Sequence, residues 1–104
     1  MVRVTTMTPQ ATINHSMSIE DALCSKTKMK IFLCLRKSER LNTSEVARQV
    51  GSSFQVVSSI LKLLEEQGIL AHSSFGVRSR IYRFSDSPRA KAILKLFEVW
   101  EGEI

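Results

Sequence analysis

The sequence has few cysteines and no long apolar run. Its two cysteines, Cys24 and Cys34, are too few for a disulfide framework or a four-ligand zinc site, even with His15 and His72 added from distant segments. The apolar runs are a few residues long, far below the roughly 20 residues that span a bilayer, and no charged and then apolar leader opens the chain. We therefore expect a cytoplasmic protein without membrane association, structural metal or cofactor.

Recognisable catalytic patterns are also missing. The sequence holds no glycine-rich phosphate loop, no nucleophile with a matching base and orienting residue, and no carboxylate pair in a plausible cleft. We therefore expect a protein that is not an enzyme.

What the chain does have is a basic excess and enough apolar residues for one small domain. Of 104 residues 43% are apolar, and 15 Lys and Arg against 10 Asp and Glu give a formal charge of +5. An excess of this sign favours a polyanionic partner such as nucleic acid, although it can also serve solubility alone.

The first half of the chain predicts a tail followed by three helices. Residues 1–17 keep no apolar period and are interpreted as a flexible N-terminal tail, so that the domain spans residues 18–104. Helical apolar spacing over residues 18–37 fits two consecutive helices. Asn42, with Glu45 three residues later, predicts a capping box at the start of a third helix that ends at Gly51.

The second half predicts a longer helix, a hairpin and a closing helix. Ser53 can cap a fourth helix that runs to Gln67 and ends before Gly68. The apolar period then changes, and residues 69–75 and 80–84 are interpreted as two strands around a turn at Gly76. The pair Ser87-Pro88 begins the last helix, which carries apolar residues along one side.

Two short helices joined by a tight turn and followed by a basic hairpin describe a winged helix-turn-helix. The predicted class is mostly α with a small β-hairpin, with about five helices and a two-strand wing. In order and spacing, the segments SKTKMKIF, LNTSEVA, VSSILKLLEEQGIL and RIYRF resemble the ArsR-type winged-helix transcription regulators. The resemblance covers residues 18–104, and it implies a sequence-specific regulator that binds double-stranded DNA and dimerises through its first and last helices.

The fourth helix offers the candidate residues for reading bases. A recognition helix inserts its N-terminal half into the major groove, where base edges present a readable code. The side opposite the apolar stripe carries Phe54, Gln55, Ser58, Ser59 and Lys62. Gln55 can pair with adenine and Phe54 can contact a thymine methyl group, whereas the absence of arginine disfavours strong guanine readout. The alternative interpretation is a solvated helix face.

The hairpin supplies candidate phosphate contacts. Strand alternation places Arg78 and Arg80 on one side, where a wing can reach phosphates or the adjacent minor groove. A solubilising edge charge is the alternative.

The end helices are the candidate dimer interface. In the last helix Ile93, Phe97, Trp100 and Ile104 recur at spacings of four, three and four, which is a heptad-like seam. Phe97 and Trp100 are expected to lie beyond the reach of the protomer's own core, and the first helix adds Ile19, Ala22 and Leu23. The alternative is that Trp100 folds back on its own core.

Effector sensing has no clear signal in the sequence. Many ArsR-type relatives sense metals through cysteines in the third helix or through Asp and His in the last, and this chain has none of these there. Cys24 and Cys34 are interpreted as buried thiols, with a redox or intersubunit disulfide as the alternative.

Two functions remain open at this point. The first is a dimeric DNA-binding regulator of transcription, and the second is a winged helix that serves as a protein-interaction module in a larger assembly. Fold alone does not decide between them.

Overall fold

The computed structural model describes residues 17–75 and 79–102. Within them lie five helices and three strands: α1 (Ile19–Leu23), α2 (Lys26–Ser38), β1 (Leu41–Asn42), α3 (Thr43–Val50), α4 (Phe54–Glu66), β2 (Leu70–Phe75), β3 (Ser79–Phe84) and α5 (Pro88–Trp100). The mostly α class with a small sheet is therefore confirmed. No helix in this part of the chain is long and apolar enough to cross a membrane.

Side-chain caps fix where the helices begin. Ser25 accepts a hydrogen bond from the Lys28 amide at the start of α2, and Ser87 accepts one from the Ala90 amide at the start of α5. At α3 the predicted capping box is complete, because Asn42 Oδ1 accepts from the Glu45 amide at 2.8 Å while Glu45 Oε1 accepts from the Asn42 amide at 2.9 Å. These contacts satisfy amides that have no partner within the helix.

The turn between α3 and α4 is the central feature of the helix-turn-helix. Gly51 ends α3 with φ 73° and ψ 33°, a left-handed conformation that glycine adopts without steric cost. Ser53 then accepts a hydrogen bond from the Val56 amide and begins α4. Only residues 51–53 separate the two helices, as the sequence predicts.

The sheet is antiparallel with the strand order β1-β3-β2. Within the hairpin, the paired positions run from Leu70 opposite Phe84 to Phe75 opposite Ser79. Strand β1 pairs with the other edge of β3, with Asn42 opposite Ile81. The sequence predicts only the two hairpin strands, because a strand of two residues next to a helix cap is too short to show an alternating pattern.

One core joins all the long helices to the sheet. Phe32 of α2, Val46 of α3, Leu61 of α4 and Tyr82 of β3 are each at most 1% exposed. Tyr82 therefore belongs to the core, and Phe84 packs partly buried against the same cluster. Met17 was assigned to the tail by the sequence analysis, yet it packs against this core, and its amide donates to Gln67 Oε1 at 2.6 Å. The rest of the predicted tail lies outside the described residues.

Phe97 corrects the expectation that the end of α5 escapes the core. Its side chain is 6% exposed within the single chain. Arg36 of α2 lies over its ring, with the guanidinium carbon 5.9 Å from the ring centroid, and forms an ion pair of 2.7 Å with Glu101. The expectation was wrong because Phe97 packs into the core cluster of the protomer and the Arg36 side chain lies over its ring.

The two cysteines also differ from expectation. Cys24, predicted to be buried, is exposed, because it is the C-cap residue that follows α1 and does not lie on the buried side of that helix, where Ala22 is. Cys34 is partly buried on α2, and its thiol donates to the Ile31 carbonyl oxygen at 3.3 Å.

Candidate nucleic-acid interface

Helix α4 has one face in the core and one face in solvent. Val57, Leu61 and Leu64 are buried, and they anchor the helix against α3 and the sheet. The predicted DNA-contact residues lie on the other side of the helix. Four of them are exposed, namely Phe54, Gln55, Ser59 and Lys62, and Ser58 is partly buried. The structure therefore brings these five residues onto one helix surface.

The exposed face of α4 combines neutral polar groups with apolar ones. Phe54 is 55% exposed and Val56 is 50% exposed, next to the amide of Gln55. Lys62 is the only basic residue of the helix, whereas Glu65 and Glu66 stand in its last turn. This chemistry suits contacts with adenine edges and thymine methyl groups better than an arginine-type pair with guanine.

Arg80 lies on the same side of β3 as Tyr82 and remains exposed. Hydrogen bonding by the Tyr82 side chain, with a smaller contribution from the charge of Glu65, raises the pKa of Arg80. The guanidinium lies near the last turn of α4, which carries Glu65. The predicted partner Arg78 lies outside the described residues, so its placement beside Arg80 stays a prediction.

The last turn of α4 is fastened to the hairpin by a polar contact. His72 Nδ1 of β2 contacts Glu65 Oε2, and the His72 ring lies 5.8 Å from the Tyr82 ring between centroids. On the opposite face of the hairpin Arg83 donates to Ser73 Oγ at 3.1 Å. The His72–Glu65 contact therefore joins β2 to the C-terminal end of α4, whereas the Arg83–Ser73 bond links the two strands of the hairpin.

The predicted dimer residues divide into two groups. Ile19 and Trp100 are 75% and 82% exposed, and Leu23 is partly buried. Ile93 and Phe97 instead belong to the protomer's own core. The heptad-like seam of the sequence analysis thus points partly inward, and it does not form one outward surface.

The outward stripe of α5 lies one residue away from that seam. Ala92, Leu96 and Val99 are exposed at spacings of four and three, and Trp100 follows. Between this stripe and α1 lies an apolar groove of about 430 Å³, which we call the α1–α5 groove; its lining includes Met17, Ile19, Leu23, Ala92, Ile93 and Leu96. Sequence reasoning missed Leu96 and Val99, although their spacing is as regular as that of Ile93 and Phe97.

The described residues bring no cation-binding group together. No cluster of three or more His, Cys, Asp or Glu side chains occurs among residues 17–75 and 79–102. Burial raises the pKa of the Cys34 thiol, which disfavours the thiolate that a metal would need.

Known structures with a similar fold include two transcriptional or competence repressors. The chain superposes on the antimony-specific transcriptional repressor AntR with a TM-score of 0.65 and 28% identity, covering 79% of this chain and 72% of AntR. Reduced HlyU from Vibrio cholerae gives a TM-score of 0.63 and 20% identity over 76% of this chain and 80% of HlyU. The adhesin competence repressor AdcR from Streptococcus pyogenes gives 0.56 and 24% identity, over 80% of this chain and 60% of AdcR.

These likenesses confirm the winged helix-turn-helix fold. For HlyU and AdcR, whose identity lies below 25%, the likeness extends to the fold alone. A comparison with curated proteins gives no match. The family model that matches, over residues 12–95, is that of the O-methyltransferase dimerisation domain, which is not specific to the ArsR type. The chain therefore belongs to the O-methyltransferase dimerisation domain family, and it has the winged-helix fold of these three structures.

Proposed function

We propose that this protein is an ArsR-like, sequence-specific regulator of transcription that acts as a cytoplasmic homodimer on double-stranded DNA and is not an enzyme. The observation that carries the proposal is the exposed N-terminal face of α4, with Phe54, Gln55 and Ser59, which no other described element covers. The likeness to AntR, a transcriptional repressor, supports the same function.

In this proposal α4 enters the major groove, and the wing lies on the backbone or in the minor groove. Gln55 reads adenine, Phe54 contacts a thymine methyl group, and Ser58, Ser59 and Lys62 bond phosphates or base edges. Arg80 and Arg78 neutralise phosphates. A two-fold dimer spaces the two α4 helices by roughly 34–36 Å, one duplex turn, so that the operator is a palindrome.

The testing experiment compares two duplexes of equal length, one enriched by selection from a random pool and one unselected. Gln55→Ala should weaken binding to the selected duplex by about 1–3 kcal/mol and leave the unselected duplex unaffected. Gln49, an exposed glutamine of α3, supplies the matched control, because Gln49→Ala should keep the ratio of the two affinities. Equal losses on both duplexes would remove Gln55 from base readout, and a wild type that binds neither duplex would refute the function.

A second candidate is favoured by the family match. An O-methyltransferase dimerisation domain is a protein-interaction module, and the exposed apolar surface of α1 and α5 suits such a module. The salt dependence of DNA affinity distinguishes the two candidate functions. A pure dimerisation module forms dimers but shows no salt-dependent affinity for any duplex.

A further inference from the structure

A second pocket lies at the base of the hairpin. It has a volume of about 340 Å³ and lies between the C-terminal end of α2, the end of β3 and the middle of α5, and we call it the α2–β3 pocket. Three arginines line it, namely Arg36, Arg40 and Arg83, together with Glu39. Arg83 is the last residue but one of β3, at the end of the strand that leads to α5. The pocket is therefore distinct from the exposed face of α4.

The floor of the α2–β3 pocket is apolar. Leu35 is buried, and Phe84 and Leu94 are partly buried. The Phe84 ring packs against the core, with its centroid 5.9 Å from that of the Phe32 ring. An apolar floor with a few polar groups around it is the usual form of a small-molecule site, and such sites enclose about 300–1,000 Å³. The pocket lies at the lower end of this range, which suits a small ligand.

Two of the arginines are set against each other. Leu41 pairs with Tyr82 in the sheet, so that continuing the register by one residue sets Arg40 opposite Arg83. Like charges at facing positions of neighbouring strands repel each other. Arg83 donates to Ser73 Oγ at 3.1 Å, whereas the Arg40 guanidinium has no hydrogen bond or ion pair within the described part of the chain. An anion between the two guanidiniums would remove the repulsion and supply the acceptors that Arg40 lacks.

The backbone next to Arg40 is strained. Glu39 has φ 69° and ψ −46°, and among the described residues it is the only one other than glycine with a positive φ. The Arg40 amide donates to the Ser38 carbonyl oxygen at 2.8 Å, which closes a γ-turn of the rare, strained kind. Strained conformations persist where the surrounding structure holds them, and they are concentrated at ligand sites. This turn ends α2 and places Arg40 in the lining of the pocket.

The charge of the pocket matches an anion with one negative charge. Arg36 forms an ion pair of 2.7 Å with Glu101, so that its charge is already balanced. Arg40 and Arg83 carry two positive charges and Glu39 carries one negative charge, which leaves a single positive charge. The planar guanidinium group is shaped to bind a carboxylate through two parallel hydrogen bonds.

We propose that the α2–β3 pocket binds a small organic monocarboxylate, whose carboxylate group is held by Arg40 and Arg83 and whose apolar body lies against Phe84 and Leu94. This site goes beyond the proposed function, and it depends neither on DNA binding nor on the homodimer.

Isothermal titration calorimetry with three probes tests the chemistry of the ligand. Phenylacetate carries a carboxylate and an apolar ring, acetate keeps the carboxylate alone, and 2-phenylethanol keeps the ring without the charge. At constant ionic strength, one phenylacetate should bind per chain with a dissociation constant of about 1 mM or lower. Acetate and 2-phenylethanol should each bind at least about tenfold more weakly, because the first loses the apolar contact and the second loses the charge-assisted hydrogen bonds.

Four single variants locate the probe. Arg40→Gln and Arg83→Gln should each raise the dissociation constant of phenylacetate at least about tenfold, because each removes a charge-assisted hydrogen bond. Glu39→Gln should lower it by about two- to fivefold, because it removes the acidic side chain from the lining. Arg89→Gln is the matched control and should leave it unchanged, since Arg89 lines the α1–α5 groove. None of these four side chains is buried, so that the variants keep the core intact.

The outcomes decide the proposal independently of DNA binding. Saturable binding of phenylacetate that weakens in Arg40→Gln and Arg83→Gln and tightens in Glu39→Gln supports the site, whether or not the protein binds a duplex. Equal affinities for phenylacetate and 2-phenylethanol overturn it, because the arginines then contribute nothing. A loss in Arg89→Gln with none in Arg40→Gln places the probe in the α1–α5 groove and also overturns it.

The absence of saturable phenylacetate binding in the millimolar range overturns the proposal as well. A salt series with an unselected duplex then shows what Arg40 does instead. If Arg40→Gln reduces the slope of log affinity against log salt by about 0.9, this arginine contacts a phosphate of the duplex.

Discussion

Phe97 and Trp100 lie three residues apart on α5 and have opposite surroundings. Phe97 is buried beneath Arg36, whereas Trp100 lies in solvent within the single chain. We expect Phe97→Ala to lower the free energy of unfolding by about 3–5 kcal/mol, because it removes a core aromatic side chain. For the monomer, Trp100→Ala should change it by less than about 0.5 kcal/mol, as is usual at exposed positions.

Urea denaturation of dilute protein, under conditions where the chain is monomeric, measures both changes. Equal losses for the two variants would contradict the observed difference in burial.

The two cysteines should also differ in reactivity. Cys24 is exposed, whereas Cys34 is partly buried, and burial holds its pKa above the ordinary 9.0 of a thiol. The thiolate is the reactive form, so at neutral pH Cys34 stays protonated and its alkylation should remain slow until the pH exceeds about 9. Mass spectrometry of the native protein after limited alkylation should find Cys24 modified first. Equal rates at both thiols would show that Cys34 is not protected.

Arg80 and Arg83 offer a matched pair on one strand. Arg80 is exposed on the face of β3 that carries Tyr82, and Arg83 is held on the other face by Ser73. If Arg80 contacts one phosphate, Arg80→Ala should reduce the slope of log affinity against log salt by about 0.9. Arg83→Ala should leave the slope unchanged. The reverse result would place the opposite face of the wing on DNA.

At the scale of single elements, α3 depends on its capping box. Asn42→Ala removes the side chain that accepts from the Glu45 amide, and it should cost about 1 kcal/mol of stability. Thermal unfolding followed by circular dichroism measures the loss. Ser44→Ala, a neighbouring exposed serine of α3, is the control and should have little effect. A loss as large for Ser44→Ala would show that helix propensity, and not the cap, sets the stability of α3.

Local signals made the elements predictable, and long-range packing limited the prediction of the site. Ser25, Asn42, Ser53 and Ser87 mark helix starts through bonds that span three residues, so that the sequence alone identifies them. Phe97 is covered by Arg36, which is 61 positions away along the chain. The spacing of apolar residues within α5 cannot predict a contact with so distant a residue.

The same limit explains the shifted seam of α5. Ile93 with Phe97 and Ala92 with Leu96 both have the spacing of four that marks one helix face. Which of the two faces turns inward is decided by the elements that pack against the helix. The exposed face of α4 was predictable, in contrast, because its opposite face carries a single clear stripe of Val57, Leu61 and Leu64.

At the scale of the whole molecule, the basic excess lies outside α4, the proposed recognition helix. Between Gly51 and Gly68 the charges sum to −1, whereas the whole chain carries +5. The affinity of the proposed dimer for unselected DNA should therefore fall steeply with salt, while Lys62→Ala should reduce the slope by only about 0.9 for each phosphate it contacts. Fluorescence anisotropy over a salt series measures both slopes. A wild-type slope near zero would contradict an electrostatic role for the remaining basic residues.

Asn42 belongs to two parts of the molecule at once. It pairs with Ile81 in the sheet and also caps α3, so that the central wing strand and the helix-turn-helix meet at one residue. A hinge between them would have to break the strand pair and the cap together. In the proposed function the protein would therefore approach a duplex with α4 and the wing already set at a fixed angle, and little ordering entropy would be lost on docking. Adjustment of fit must then come from bending of the DNA, so that flexible base steps between the half-sites should strengthen binding without being touched.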